Sequence, residues 1–234
     1  MTAPERLPHT LVLWDIDHTL IETRGLGRAI YDRAFPAATG RRLAKLAQIA
    51  GRTEPAIMAD SLRANGLEAT NQAIQELAAA LIRGYEDARE ELASVGRALP
   101  GAQTALERLA ASPGVHQAVL TGNLRAVAQI KLEVFALDHF IDFASSAFGD
   151  DHADRSELVT IARERAAAQT GTRFAPGDVV LIGDTPNDVK AALDSGAQII
   201  GVATGKSNED ELRAAGAERV ISKLADLRLP RAVR

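Results

Sequence analysis

The stretch Leu11-Val12-Leu13-Trp14-Asp15-Ile16-Asp17-His18-Thr19-Leu20 sets an apolar run directly against two acids that stand two residues apart. Read as a buried strand, the run ends in a pair of carboxylates, which a fold has little structural reason to place at a sheet edge. A ligand site has several reasons, because open α/β sheets bind their ligands beyond the carboxyl ends of the strands. Side chains two apart on a strand share a face, so the spacing predicts that both carboxylates converge on one small volume. Like charges that close either bind a cation or share a proton.

The rest of the chain narrows the options. With 234 residues and 46% hydrophobic content, it is long enough for a core domain and a smaller one. The net charge of −4 comes from interspersed acid and base, which leaves no basic stripe for nucleic acid and no charged tail for a membrane surface. The absence of cysteine excludes disulfides, thiolate metal sites and a cysteine nucleophile. Thr2 to Thr10 is polar and holds two prolines, and the apolar run after it is too short for a signal segment or a membrane span. The expectation is a cytoplasmic protein that handles a small ligand.

From Ile21 to about Gly96 the periodicity is helical. Leu43, Leu46, Ala47 and Ala50 repeat at three and four residues, as do Ile74, Leu77, Ala78, Leu81, Ile82 and Tyr85, and then Ala88, Leu92 and Val95. Breaks fall at Gly51-Arg52-Thr53, with Thr53 as a helix cap ahead of Pro55, and at Asn65-Gly66. About four helices fit this segment. From Pro100-Gly101 onward, helices alternate with short strand candidates at 117–121, 140–143, 179–183, 199–202 and 219–221. The pattern predicts an α/β fold with a parallel sheet between helical layers, a Rossmann-like three-layer αβα core. The first strand precedes the helical segment, so the core is expected from residues 1–21 and 99–234, with 22–98 inserted as a helical cap.

Polar groups follow several of these strands: Asp15 to Thr19, Thr121-Gly122-Asn123, and Gly183-Asp184-Thr185-Pro186-Asn187-Asp188, while Asp150 to Arg155 precedes a helix. In their order and strand contexts they resemble the four motifs of the haloacid dehalogenase superfamily, in its branch with a helical cap between motifs one and two. Asp15-x-Asp17-x-Thr19 resembles motif one, Thr121-Gly122-Asn123 motif two, and Gly183-Asp184-x-x-x-Asp188 motif four. The cap region around Gly51-Arg52-Thr53 is similar to that of phosphoglycolate-phosphatase-like members. Two positions depart from the pattern. His18 stands where the family commonly has glycine, and the motif-three lysine is replaced by Arg155 at a helix start, with Lys131 as the competing cation.

The resemblance implies a Mg²⁺-dependent phosphomonoester hydrolase acting on a small phosphorylated metabolite. A phosphate ester is a dianion, so a carboxylate can attack it only if cations screen the approach. Asp15, Asp184, Asp188 and the backbone carbonyl of Asp17 would bind Mg²⁺ through hard oxygens. Asp15 would be the nucleophile that forms an aspartyl-phosphate, and Asp17 the acid and then the base, its carboxyl raised by a neighbouring carboxylate and partial burial. Thr121 and the N–H groups of Gly122 and Asn123 would hold phosphoryl oxygens, Arg155, or else Lys131, would neutralise Asp15 and the phosphoryl group, and Arg52 could reach the substrate from the cap. Two decoys fail. The run Gly201 to Ser207 has the wrong spacing for a phosphate loop and reads as a strand end with a helix cap at Ser207, and Gly25 to Ile30 lacks the third glycine of a dinucleotide fingerprint.

Alternatives stay open within the fold. A dehalogenase has no use for Asp17, a phosphomutase needs a further acid or base in the cap, and a phosphate-binding module without catalysis needs none of the reactive groups. Nucleic acid and membrane are not expected partners, and the chain is expected as a monomer or homodimer.

Overall fold

The computed structural model describes residues 9–230. A parallel sheet runs through its centre, built from β1 (Thr10–Trp14), β4 (Val115–Val119), β5 (Val179–Gly183), β6 (Gln198–Val202) and β7 (Arg219–Ile221) in the order β4-β1-β5-β6-β7. Alternation along β1 divides its side chains between two layers. Val12 and Trp14 pack with α5 (Ala102–Ala110) and α6 (Arg125–Val134), whereas Leu11 and Leu13 pack with α7 (Arg155–Thr170) and α8 (Pro186–Ser195). The core is therefore the expected three-layer αβα fold. The chain leaves β1 toward β4 and leaves β5 toward β6, in opposite directions, so the loops after β1 and β5 open a crevice where the strand order switches.

Between the first and second strands of that sheet lie α1 (Leu26–Thr39), α2 (Glu54–Ala64), α3 (Asn71–Asp87) and α4 (Arg89–Val95). They share an apolar cluster that includes Phe35, Met58, Leu62, Leu81 and Leu92 and extends onto α6 through Leu124, Val127 and Ile130. The chain enters and leaves this helical layer through a two-stranded antiparallel ribbon, β2 (Ile21–Glu22) against β3 (Arg97–Ala98). A short helix, α9 (Glu209–Ala214), closes the end of the sheet.

Some sequence expectations are corrected. The segment around Leu43 to Ala50 is not helical, because side chains take over its backbone groups: Asn65 Oδ1 accepts from the N–H of Ala44 and Lys45, and Ser61 Oγ accepts from Ala47. Leu43 is buried without a helix to carry it. The candidate strand at 140–143 is instead the end of a 3₁₀ turn, Asp138–Phe140, followed by irregular chain. The strand expected at 117–121 ends at Val119, so Thr121 lies in the loop beyond it. The helix after the Gly201 run is capped by Asn208, not Ser207, and Glu211 returns the bond to the cap's N–H.

Candidate active site

β1 stops at Trp14, and Asp15 is fixed by its own N–H, which donates to the Ile182 carbonyl at 2.9 Å. The chain then turns tightly. The Ile16 carbonyl accepts from Thr19 at 3.3 Å, Leu20 at 2.9 Å and Ile21 at 3.0 Å, and His18 sits in the left-handed region at φ +62°. For a residue with a Cβ that conformation costs roughly 1–2 kcal/mol, which accounts for glycine as the more usual occupant in the family resembled. The turn also corrects the strand-face reading of the two acids. They are loop residues that share one crevice but take different cations: Asp15 faces Arg155, Asp17 faces Lys131, and Asp17 is still near enough to act on Asp15.

At one end of the crevice, Asp15, Asp184 and Asp188 bring carboxylate oxygens within 4.8 Å of one another, all three buried. Arg155, the first residue of α7, meets them. Its Nη2 donates to Asp15 Oδ1 at 2.6 Å and lies 2.6 Å from Asp188 Oδ1. Asp188 also closes the start of α8 as a capping box, its Oδ2 accepting from the Thr185 hydroxyl at 2.6 Å and the Thr185 N–H at 3.0 Å. Thr19 Oγ1 approaches Asp184 Oδ1 at 3.4 Å. Burial, and then the neighbouring carboxylates, push Asp15 up to about 7 and Asp184 up to about 9, with Arg155 opposing both shifts. The backbone leaves no slack around this cluster. A Cβ at Gly205 would lie 1.8 Å from Asp184 Oδ2, and one at Gly183 would lie 2.4 Å from Asp188 Cγ.

The other end is a closed trio. Lys131 on α6, 3% exposed, donates to Asp17 Oδ1 at 2.8 Å, Asp17 Oδ2 at 2.7 Å and Asn123 Oδ1 at 2.7 Å. Asn123 Nδ2 in turn donates to Asp17 Oδ2 and to Thr121 Oγ1, both at 2.7 Å. Lys131 Nζ also stands 5.3 Å from the Tyr85 ring centroid. Burial alone would raise Asp17, yet the Lys131 charge and the Lys131 and Asn123 hydrogen bonds win and hold it below the usual carboxylate range. The expectation that Asp17 rests with a raised carboxyl is therefore overturned, because the cation and hydrogen bonds beside it outweigh its burial. Burial pulls Lys131 down, but Asp17 more than reverses that, and the ammonium stays charged.

The helical layer reaches the crevice through residues 51–54. Gly122 must be glycine, since a Cβ there would lie 2.0 Å from the Arg52 carbonyl oxygen. The Gly122 carbonyl accepts from the Glu54 N–H at 2.7 Å, and Asn187 Nδ2 donates to the Gly51 carbonyl at 3.0 Å. The guanidinium of Arg52 is occupied elsewhere, on Asp60 at 2.6 Å and the Gln48 carbonyl at 3.3 Å. Thr53 precedes α2 as expected but makes no capping bond, and its buried Oγ1 has no hydrogen-bond partner. A cavity of about 260 Å³ lies here, lined among others by Arg52, Thr53, Arg155, Asn187 and Lys190. The residue that sequence reasoning missed is Glu54. Its Oε2 accepts from the Tyr31 hydroxyl at 2.6 Å, a contact across 23 residues that no local pattern signals. Burial pushes its carboxyl up, and both Lys131 and Asp17 are close enough to act on it.

The donor set fits a small divalent cation. Three carboxylates with hard oxygens share one arginine, and their mutual repulsion is what such an ion relieves. No helix among the described residues is long and apolar enough to cross a membrane.

Comparison with known proteins agrees with this architecture. A family model described as haloacid dehalogenase-like hydrolase matches residues 12–193. No curated protein matches the chain by sequence. Among solved structures, a hydrolase from Pseudomonas syringae is 24% identical with a TM-score of 0.69, over 93% of this chain and 94% of that one. CbbY from Rhodobacter sphaeroides, solved in complex with phosphate, is 20% identical with a TM-score of 0.71, over 92% and 95% of the two chains. A predicted phosphoglycolate phosphatase from Haemophilus somnus 129pt is 18% identical with a TM-score of 0.67, over 94% and 96%. At these identities the likeness is one of fold.

Proposed function

The chain belongs to the haloacid dehalogenase-like hydrolase family, and from that membership we propose that it is a Mg²⁺-dependent phosphomonoester hydrolase for a small phosphorylated metabolite. The observation that carries the reading is the division of acids in one crevice. Asp15 stands in a carboxylate cluster short of positive charge, and Asp17 stands two residues away in a bonded trio of its own. A halide leaves without a proton and gives Asp17 nothing to do, whereas an alkoxide needs one.

In this reading Asp15 attacks phosphorus, an Asp15–phosphorus ester bond forms, and the bond from phosphorus to the alcohol oxygen breaks. Asp17 gives its proton to that oxygen. It rests ionised beside Lys131, and it takes up that proton from the monoanionic ester or from solvent as the arriving phosphate, a like charge, raises its affinity for it. Once the alcohol has left, ionised Asp17 takes a proton from water, whose oxygen displaces the phosphoryl group from Asp15. The Thr121 hydroxyl and the Gly122 and Asn123 N–H groups hold phosphoryl oxygens, and Arg155 offsets charge on Asp15. Mg²⁺, held by Asp15, Asp184 and the Asp17 carbonyl, would supply charge screening. Asp188 Oδ1, 2.6 Å from Arg155 Nη2 and without a hydrogen bond of its own, would complete the cation's site and positions Arg155.

Residues 22–98 act as the cap of this site, opening about the β2–β3 ribbon to admit substrate and exclude water. The protein works in the cytoplasm as a monomer or homodimer, without nucleic acid or membrane partners. The test is hydrolysis of p-nitrophenyl phosphate and a panel of small phosphate esters with Mg²⁺. EDTA and Asp15→Asn should each abolish turnover, and activity that survives both would refute the assignment.

A further inference from the structure

The acid that sequence reasoning missed bears on which phosphate esters the crevice accepts, and the inference rests on the phosphomonoester hydrolase reading. Glu54 begins α2, and its N–H bond to the Gly122 carbonyl ties it directly to the loop proposed to hold the phosphate. The Tyr31 hydroxyl fixes one of its oxygens, Oε2. Among the described residues, Oε1 takes no hydrogen bond, and the side chain is only partly buried.

The chemistry fixes where the alcohol part of the substrate lies. Asp17 protonates the leaving oxygen, so the alcohol must sit on the Asp17 side of phosphorus. Glu54 is bonded through its N–H to Gly122, and the next residue, Asn123, donates to Asp17 Oδ2, so Glu54 stands over that same side. Lys131 is already spent on Asp17 and Asn123. The crevice thus holds Asp15, Asp17, Glu54, Asp184 and Asp188 against Lys131 and Arg155. Even a divalent cation leaves it net negative before a phosphate dianion enters. A second anionic group on the alcohol part would meet Glu54 while the buried cations Lys131 and Arg155 are both already paired, whereas a hydroxyl or ammonium would find an acceptor already aimed by Tyr31.

We propose that Glu54 is a specificity-determining residue. It accepts a hydrogen bond from a donor group on the alcohol part of the substrate, and it turns away esters that carry a carboxylate there. The preferred substrates are phosphate monoesters of hydroxylated or amino alcohols, not of hydroxy acids.

The test compares kcat/KM for glycerol 3-phosphate, phosphoethanolamine and phosphoglycolate with Mg²⁺ present. The donor-bearing esters should exceed phosphoglycolate by on the order of tenfold or more, and their relative order identifies hydroxyl or ammonium as the donor. Glu54→Gln should shrink the ratio by about tenfold, because the repulsion goes while the shape stays. Tyr31→Phe should raise KM for the donor esters about threefold and keep the discrimination, since the charge remains. Phosphoglycolate turned over as well as the donor esters, or a ratio unmoved in Glu54→Gln, overturns the proposal. If no ester is hydrolysed, p-nitrophenyl phosphate included, it is the hydrolase reading that fails. Calorimetric titration of the same esters into the protein then decides the specificity, with phosphoglycolate binding as tightly as the others counting against Glu54.

Discussion

Two buried cations serve this crevice, and they keep different company. Arg155 faces Asp15 and Asp188 with Asp184 beside them, while Lys131 faces Asp17 and an asparagine that completes its bonds. The first end is short of positive charge and its carboxyls are pushed up. The second is balanced and its carboxyl is held down. An imbalance of this kind marks where charge is to be added from outside, and a balance marks where a group is to be kept in one place.

The largest way to break the comparison is to remove each cation in turn. Arg155→Ala leaves two buried carboxylates without their partner, which should cost about 3–5 kcal/mol of stability and on the order of 10³-fold in kcat. Lys131→Ala should cost on the order of 10²-fold, because Asp17 keeps Asn123 and part of its exposure to water. Steady-state kinetics with a thermal melt separates the two losses, and a larger kinetic loss at Lys131 would reverse the roles given to the two ends.

Metal should act chiefly on the carboxylates of the first end. Mg²⁺ at about a hundred times its dissociation constant stabilises the folded state by about 2.7 kcal/mol, or roughly 5–10 °C in Tm for a chain of this size. Asp184→Asn should remove most of that shift. An equal Mg²⁺ shift in Asp184→Asn would place the cation elsewhere.

The pH dependence should differ in sign between the ends. Without metal, folded Asp15 and Asp184 titrate near about 7 and about 9, against 3.8 for the ordinary carboxyl, so the folded state binds more protons than the unfolded one in between. Stability then falls as pH rises from about 4 through about 9. Asp17, held low, contributes in the opposite sense. Its stabilisation is present above the ordinary value and is lost only as pH falls through the lowered one. Melts of the EDTA-treated protein should therefore decline between about pH 6 and 9, and Mg²⁺ should flatten the decline. A metal-free Tm that rises over that range would contradict the charge imbalance.

The smallest effect lies on the turn that joins the two ends. His18 separates Asp17 from Thr19, which approaches Asp184, and its left-handed backbone is strained. His18→Gly should relieve that strain against the extra entropy of glycine in the unfolded chain, a net gain of about 0.5–1 kcal/mol. Denaturant unfolding would show it, and a loss of stability would mean that the imidazole packs in a way the strain argument neglects.

How far the sequence could be read follows from the range of the interactions. Val179 to Gly183 was legible to its last residue because a strand buried on both faces is an unbroken apolar run bounded by turn residues. The segment at 43–50 was misread because its helical pattern is overruled by Asn65 and Ser61, whose side chains take the backbone groups a helix would use. At the site, Arg155, Lys131, Asp184 and Asp188 follow from their strand and helix ends, and so does the pairing of Arg155 with Asp15, whereas the pairing of Lys131 with Asp17 is not readable in the sequence. Glu54 was passed over since nothing near it in sequence gives it a reason.

By itself, then, the sequence determined the order of elements, the crevice at the carboxyl ends of β1 and β5, and the types of group gathered there, all of which follow from local periodicity and chain order. The tertiary structure alone decided that Asp17 pairs with Lys131, that it is held low, and that a glutamate of the helical layer is bonded to the site's loop. Those outcomes depend on charges brought together across 114 residues for Lys131 and Asp17 and 140 for Arg155 and Asp15. Electrostatic energy depends on distance in space and on burial, and neither is a property of neighbours along the chain.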